Sequence, residues 1–330
     1  MPDAAIGIEI GGTKLQSAVV TAAGEILRRR ADRVDPAAGA AGIRAALAGQ
    51  FAALIAEPLP EGRKIAAVGI GFGGPVDRFR GVVAKSFHVS GWGDFPLAVW
   101  VREQLTGDSA GLPVVLENDA NAAALGEAIA GAGAGSRVVF YTNTGSGIGA
   151  GLVVNGALYH GRQGGELELG HLRLAPGGGI LETLASGWSL DRRVREEVEA
   201  HPSGPLARAA VAAGAAPSAR LLPAAVAAGE PAARAILDAA AGHYAHALSH
   251  VVHLLNPDVI VLGGGVATIG EPWRETVVRQ LAPLLMETMR PAPPVRLAAL
   301  GEDVVPIGAA LVALQAATGD DEGSASRVRA

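Results

Sequence analysis

The sequence predicts an α/β protein built on a mixed sheet, and two observations carry that prediction. Short apolar runs alternate with segments whose apolar residues recur at helical spacing, which is the pattern of strands layered with helices. The strand, glycine hairpin, strand order that opens the chain at Ala5 returns at Val138, so the chain reads as a coarse repeat of two halves.

In order, Ala5 to Ile10 and Leu15 to Val20 are apolar runs joined by Gly11-Gly12-Thr13-Lys14, and a glycine pair between such runs marks a β-hairpin. Ile26 to Val34 reads as a third, more polar strand. Ala37 to Ala56 has helical spacing and stops at Glu57-Pro58. Ile65 to Phe72 is a buried-type strand running into the turn-rich Gly73-Gly74-Pro75-Val76-Asp77. Leu97 to Leu105 is a short amphipathic helix, Pro113 to Leu116 a strand, and Ala120 to Ala130 an alanine-rich helix. The second half starts with the strand Val138 to Tyr141, a glycine hairpin, the strand Gly151 to Val154, the turn Asn155-Gly156 and the strand Ala157 to Tyr159. From Leu184 the chain is mainly helical, including Pro231 to Leu255, which Asn256-Pro257-Asp258 caps. The strand Val259 to Leu262 follows and ends at Gly263-Gly264-Gly265. Ile307 to Ala317 is a last helix, and residues 319–330 are expected to form a disordered tail.

With 330 residues, 49% of them apolar and 18% charged, the chain is long enough for a sizeable core or two. A net charge of −5 argues against a nucleic-acid or anionic-membrane surface. Zero cysteines exclude disulfides, thiolate nucleophiles and cysteine-ligated zinc. No apolar run has the length of a membrane span, and a cytoplasmic address is expected.

Chemistry concentrates between Val114 and His171. Gly11-Gly12-Thr13-Lys14 is either a plain tight turn or a phosphate loop, in which bare backbone N–H groups approach the anion while Thr13 and Lys14 add donors. The second hairpin, Thr144-Gly145-Ser146-Gly147, favours the phosphate reading of both. Asp119 lies where a strand meets a helix, and is either the helix N-cap or a general base for an attacking hydroxyl. Asn118 beside it both donates and accepts, which suits a polyol. Glu168 and His171, three apart, share a face if helical and read as a hydrogen-bonded pair more readily than as metal ligands. Glu182 is a third acceptor that can reach the same pocket. His243, His246, His250 and His253 recur at helical spacing among apolar residues. With no carboxylate interleaved, they read as a packed or subunit-facing helix rather than a metal site. Gly263-Gly264-Gly265 is either a βα turn or a place where adenine or ribose approaches the backbone.

In this order these residues resemble the ROK family (repressors, open reading frames and sugar kinases) over nearly the whole chain. Ile8 to Lys14 resembles the family's first phosphate motif, and Thr142 to Gly149 its second. Glu117-Asn118-Asp119-Ala120-Asn121 resembles its catalytic segment, and Gly165 to His171 its Gly-Glu-x-Gly-His sugar motif. Gly179 to Glu182 with Ser186-Gly187 resembles its later Gly-x-x-Glu…Ser-Gly segment, and Leu255 to Gly265 its adenosine segment.

The resemblance implies two ribonuclease-H-like (actin-like ATPase) domains flanking a central cleft, here 1–118 with a C-terminal helix at about 307–318, and 119–306. It implies an ATP-dependent sugar kinase, with glucokinase the leading reading. A fructokinase, an N-acetylhexosamine kinase, a polyphosphate-dependent kinase and a catalytically retired sugar-binding regulator are the alternatives. It makes Asp119 the base, and Asn118, Glu168, His171 and Glu182 sugar contacts. It gives Gly11, Gly12, Thr13, Lys14, Thr144, Gly145, Gly147, Gly263, Gly264 and Gly265 to ATP, and Glu9 to Mg²⁺, directly or through water. It also implies a homodimer. Three positions depart from the family pattern. Glu9 stands for the usual Asp, and His88 for a sugar-contacting Asn, so His88 joins the expected sugar contacts. The segment Leu172 to Leu181 lacks the three zinc-binding cysteines, and no zinc site is expected.

Overall fold

The computed structural model describes residues 3–12, 14–56, 58–86, 89–162 and 165–319. Thr13, His88 and residues 320–330 of the expected tail therefore lie outside the described residues.

Strands β1 (Ala4–Ile10), β2 (Lys14–Thr21) and β3 (Ile26–Arg33) come first, followed by helix α1 (Gly39–Ile55) and strand β4 (Ile65–Phe72). A small ribbon of β5 (Val76–Asp77) and β6 (Val82–Val83), helix α2 (Leu97–Gln104), strand β7 (Val114–Asn118) and helix α3 (Asp119–Ala130) follow. The second stretch starts with β8 (Val138–Thr144), β9 (Ile148–Val154) and β10 (Ala157–Leu158). The helices α4 (Leu181–Ala185), α5 (Gly187–Ala200), α6 (Pro205–Ala213), α7 (Leu222–Ala227) and α8 (Pro231–Leu255) come next. The chain closes with β11 (Val259–Gly263), α9 (Glu271–Leu281), β12 (Val295–Leu297) and α10 (Val304–Thr318).

Two compact units result. The first holds residues 1–137, 151–166 and 299–330, and the second holds 138–150 and 167–298. The sequence places the division after Asn118, whereas α3 packs with the first unit. The reason is steric: a Cβ on Gly308 of α10 would lie 1.7 Å from the Ala122 carbonyl oxygen of α3, so the two helices touch backbone to backbone.

The sheet of the first unit runs β3-β2-β1-β4-β7. β1, β2 and β3 form an antiparallel meander, while β1, β4 and β7 are parallel neighbours. The apolar runs explain the centre, since every residue of β1 is buried except the half-buried Glu9. β3 carries Arg28, Arg29, Arg30 and Arg33 and forms the outer edge, where charge discourages further pairing. α1 buries Ile43, Leu47, Phe51 and Leu54, the stripe its spacing predicts. α10 is buried from Val305 to Leu314 and lies unusually close to the sheet. A Cβ on Gly7 of β1 would sit 1.8 Å from the Pro306 carbonyl oxygen, and one on Gly69 of β4 1.8 Å from that of Ala309. No residue larger than glycine fits there without moving the helix.

In the second unit β8 lies between the start of β9 and β11, and β11 is parallel to both β8 and β12. β9 passes into the first unit at Gly151, where its end pairs with β10. α8 starts at Pro231 and ends at Leu255, and its cap Asn256 takes the left-handed conformation (φ 43°) of a helix stop. β12, β5 and β6 have no counterpart in the sequence reading. Runs of two or three residues carry too little pattern to register. Among the described residues no helix is long and apolar enough to cross a membrane.

These contacts make a paired prediction. Gly69→Ala should lower stability by at least about 2 kcal/mol, because the helix must move to admit the methyl group. Gly49→Ala, on an exposed position of α1 with nothing within 4 Å, should raise it by about 0.5–1 kcal/mol. Urea unfolding of the two variants checks this, and coincident midpoints would contradict the close helix–sheet approach.

Candidate active site

The carboxyl ends of β1, β4 and β7 gather the polar side chains of the first unit. Parallel pairing sets Glu9 opposite Gly71, and Gly71 opposite Glu117, so both carboxylates stand in one row on one face. One residue further on are Ile10, Phe72 and Asn118, after which each strand turns, at Gly11, at Gly73 and into α3.

Asp119 is the first residue of α3, and the helix cap is Asn118. The Asn118 Oδ1 accepts from the Ala120 N–H at 2.9 Å and the Asn121 N–H at 3.3 Å, and its Nδ2 donates to the Gly74 carbonyl at 3.4 Å. The N-cap reading of Asp119 is thereby corrected by one position. The strand runs two residues further than the apolar pattern indicates, which places Asn118 at the junction. Asp119 Oδ1 accepts from the Ala120 N–H at 2.9 Å. Its Oδ2 points toward the turn after β4: a Cβ on Gly73 would lie 3.4 Å from that oxygen, 3.5 Å from the Ile10 carbonyl and 3.6 Å from Gly11 Cα. Asp119, Gly73 and the first glycine hairpin therefore converge, and Gly73 keeps the space between them open.

Glu9 is held from β2. The fully buried Gln16 donates its amide to Glu9 Oε2 at 3.1 Å, and Lys14 Nζ lies 3.7 Å from the same oxygen. Lys14 also donates to the Glu302 carbonyl at 2.9 Å and sits 3.4 Å from the Glu302 carboxylate. Burial pushes the Glu9 carboxyl up to about 7; Lys14 opposes the rise, and the charge of Asp119 adds to it. Gln16 is absent from the expected site residues, and its signal in the sequence is a glutamine inside the apolar run Leu15 to Val20.

In the second unit the second hairpin closes on itself, the Gly145 N–H donating to the Gly147 carbonyl at 2.9 Å. The Gly187 N–H donates to the Gly145 carbonyl at 2.8 Å, which brings the N-terminus of α5 to the hairpin. The dipole of α5 is positive at that end and favours an anion there. Beside it is a cavity of about 580 Å³ lined by Ser146, Glu182, Trp188, Asp191, Arg192 and Arg195, among others. Two arginines and an indole that is 63% exposed suit a phosphorylated, flat ligand.

Other expected contacts have other duties. The Thr144 hydroxyl is buried and donates to the Tyr244 hydroxyl at 3.0 Å. Tyr244 in turn donates to Thr142 at 2.8 Å, and Thr142 to the Gly149 carbonyl at 2.9 Å. Burial pushes the Tyr244 phenol up to about 12, keeping it a donor. This chain links both arms of the hairpin to α8. Glu182 Oε2 accepts from the Ile148 N–H at 3.0 Å, and a Cβ on Gly147 would lie 2.5 Å from that oxygen, so Glu182 fixes the hairpin's exit. Gly263 leaves room for Tyr141, whose hydroxyl oxygen would be 2.4 Å from a Cβ there. Gly264, at φ 80°, would set a Cβ 2.5 Å from the Thr144 nitrogen, while Gly265 is open. The glycine run therefore lies directly on the end of β8.

Glu168 precedes and His171 ends a short 3-10 turn (Leu169–His171), with Nδ1 of His171 3.4 Å from Glu168 Oε2 and both side chains more than half exposed. Leu167 before them takes a left-handed backbone (φ 60°), which leucine adopts only under constraint. In the histidine series the rings of His246 and His250 lie 5.2 Å apart, and His253 Nε2 accepts from the Met286 N–H at 3.2 Å.

The model of the ROK family matches residues 5–316. The chain is 29% identical to a glucokinase of Halalkalibacterium halodurans over 92% of each chain. It is 32% identical to a glucokinase of Thermotoga maritima, covering 86% of this chain and 90% of that one. Its structure is similar to that of a ROK family glucokinase from Streptomyces griseus in complex with glucose and AMPPNP. The TM-score is 0.80 at 32% identity, covering 94% of this chain and 99% of that one.

The raised Glu9 carboxyl makes a pH prediction. In metal-free buffer the folded state binds a proton at Glu9 more tightly than the unfolded chain does. Stability should therefore be greatest below the ordinary glutamate range and decline as pH rises from about 4.5 through about 7. Glu9→Gln removes this decline, so the variant should gain roughly 2–3 kcal/mol on the wild type between pH 5 and 8. Denaturant titrations at both pH values check the difference, and parallel pH profiles would contradict it.

Proposed function

The chain belongs to the ROK family, and on that premise we propose that it is an ATP-dependent glucokinase, transferring the γ-phosphoryl group to the primary hydroxyl of glucose. The observation that carries the chemistry is the convergence of Asp119 Oδ2 with Gly73 and the first glycine hairpin at the carboxyl ends of parallel strands, where ligands bind in sheets of this kind. The doubled α/β architecture is that of the actin-like ATPase fold.

Asp119 accepts the proton of the attacking hydroxyl, which must come off as the O–P bond forms. Asn118 offers its second amide hydrogen to a sugar oxygen, since its carbonyl oxygen is engaged in capping and its first amide hydrogen in the bond to Gly74. Glu168 and His171, exposed and 3.4 Å apart, are assigned to sugar hydroxyls. Glu182 acts on the sugar through its second oxygen, the first being held by Ile148. Gly11, Gly12 and Lys14 in the first unit, and Gly145 and Gly147 with the α5 N-terminus in the second, are assigned to phosphate. Gly264 and Gly265 are assigned to the nucleoside. Thr13 and His88 keep the roles that the resemblance implies.

The residues present fit Mg²⁺. Glu9 is a half-buried carboxylate beside a second one, Asp119, and such paired hard oxygens suit this ion. When bound with ATP, Mg²⁺ neutralises phosphate charge. A cytoplasmic homodimer completes the proposal, on the resemblance.

A coupled ADP-release assay over a panel of hexoses tests the reading, with glucose expected to turn over fastest. Asp119→Asn should still bind glucose in calorimetry, but turn over at least about 10²-fold more slowly, since its amide keeps the shape and loses the basicity. A panel in which no hexose raises ADP release would overturn the assignment. Wild-type kcat in the variant would remove Asp119 as the base.

A further inference from the structure

At the β7–α3 junction of the first unit lies a cluster that the proposed reaction does not use. Glu117, His160 and Glu166 each offer a ligand atom, and these atoms lie within 4.8 Å of one another. Bonds of about 2.0–2.6 Å to a divalent ion put opposite ligands about 4–5 Å apart, so the cluster has the span of one coordination sphere. Its edges agree. His160 Nε2 is 2.8 Å from Glu117 Oε2, and the Asn121 amide nitrogen is 3.0 Å from Glu117 Oε1 and 2.9 Å from Glu166 Oε1. Separations near 3 Å are those of adjacent ligands on a shared ion.

A second observation points to a missing partner. Asn121 is only 4% exposed, and its Oδ1, about one amide width from the nitrogen that bridges the two carboxylates, has no hydrogen-bond partner among the described residues. The buried Glu166 Oε2 has none either. Two buried acceptors left unpaired beside a second carboxylate are costly in a protein interior. Turning the Asn121 amide half a revolution exchanges its nitrogen and oxygen. The oxygen then faces both glutamates, which is favourable only with a cation between them.

We propose that Glu117, Glu166, His160 and the Asn121 carbonyl oxygen form a binding site for one divalent cation of the Mn²⁺ type. The donor set, oxygen-rich with a single imidazole, suits Mn²⁺. The ion ties the segment after β10 to the start of α3, and so braces the backbone that carries Asn118 and Asp119. The site shares no residue with those assigned to the nucleotide-bound Mg²⁺, and it stands whether or not the kinase reading holds.

The test uses chelator-treated, full-length protein without nucleotide or sugar, titrated with Mn²⁺ and followed by electron paramagnetic resonance. One equivalent should bind. Glu166→Gln and His160→Gln should each weaken it at least about tenfold, and Glu9→Gln should leave it unchanged. Anomalous diffraction from wild-type crystals soaked in Mn²⁺ supplies an arm that needs no variant, with a peak expected among Glu117, His160 and Glu166. Absence of binding at millimolar Mn²⁺, wild-type affinity in both cluster variants, or anomalous peaks only elsewhere would overturn the proposal.

Discussion

Parallel pairing of β1, β4 and β7 is the constraint on which the chemistry of the first unit rests. Side chains alternate across a sheet, so a slip of one residue between β1 and β4 would send Glu9 to the opposite face and Ile8 into its place. The register is held by more than backbone hydrogen bonds. Gly7 and Gly69 let α10 lie directly on both strands, and their neighbours in register, Ile6 with Val68 and Ile8 with Ile70, are completely buried. With that register fixed, Glu9, Gly71 and Glu117 form a row, and the turns that follow bring Gly11, Gly73 and Asp119 together.

The row contains two glutamates that their surroundings push in opposite directions. Burial raises both, but Glu9 receives one amide hydrogen bond and a lysine at 3.7 Å, which do not offset it. Around Glu117 the hydrogen bond and charge of His160, the Asn121 amide and the Asn118 N–H together outweigh burial and hold the carboxyl below the usual glutamate range. Glu9 thus holds a proton far more readily than an ordinary glutamate, while Glu117 stays an anion. Carboxylates driven apart in this way are common where a site divides labour between them.

Much of this was legible in the residues. The hairpin runs, the strand Ile65–Phe72 and the helix Pro231–Leu255 follow apolar patterns that burial enforces. The β7–α3 boundary was misplaced because Glu117 and Asn118 are polar, and polar residues at a strand end read as a turn unless their partners are known. Those partners, His160 and Asn121 for Glu117 and the α3 backbone for Asn118, appear only once the chain folds. Likewise the sequence assigns Thr144 to phosphate, but its hydroxyl is occupied by Tyr244, a hundred residues away. Glu182, read as a sugar contact, also braces the hairpin. Leu167 shows the reverse. A left-handed leucine directly before Glu168 has no sequence signature, since the conformation normally selects glycine.

The central claim is that Asp119, placed by the β7–α3 junction beside Gly73 and Gly11, faces the hydroxyl that is phosphorylated. A crystal structure with glucose and a non-hydrolysable ATP analogue measures it directly. The account predicts the glucose 6-hydroxyl within hydrogen-bond reach, about 2.6–3.2 Å, of an Asp119 carboxylate oxygen. Glucose bound with that hydroxyl on another acid, and Asp119 out of reach, would contradict it.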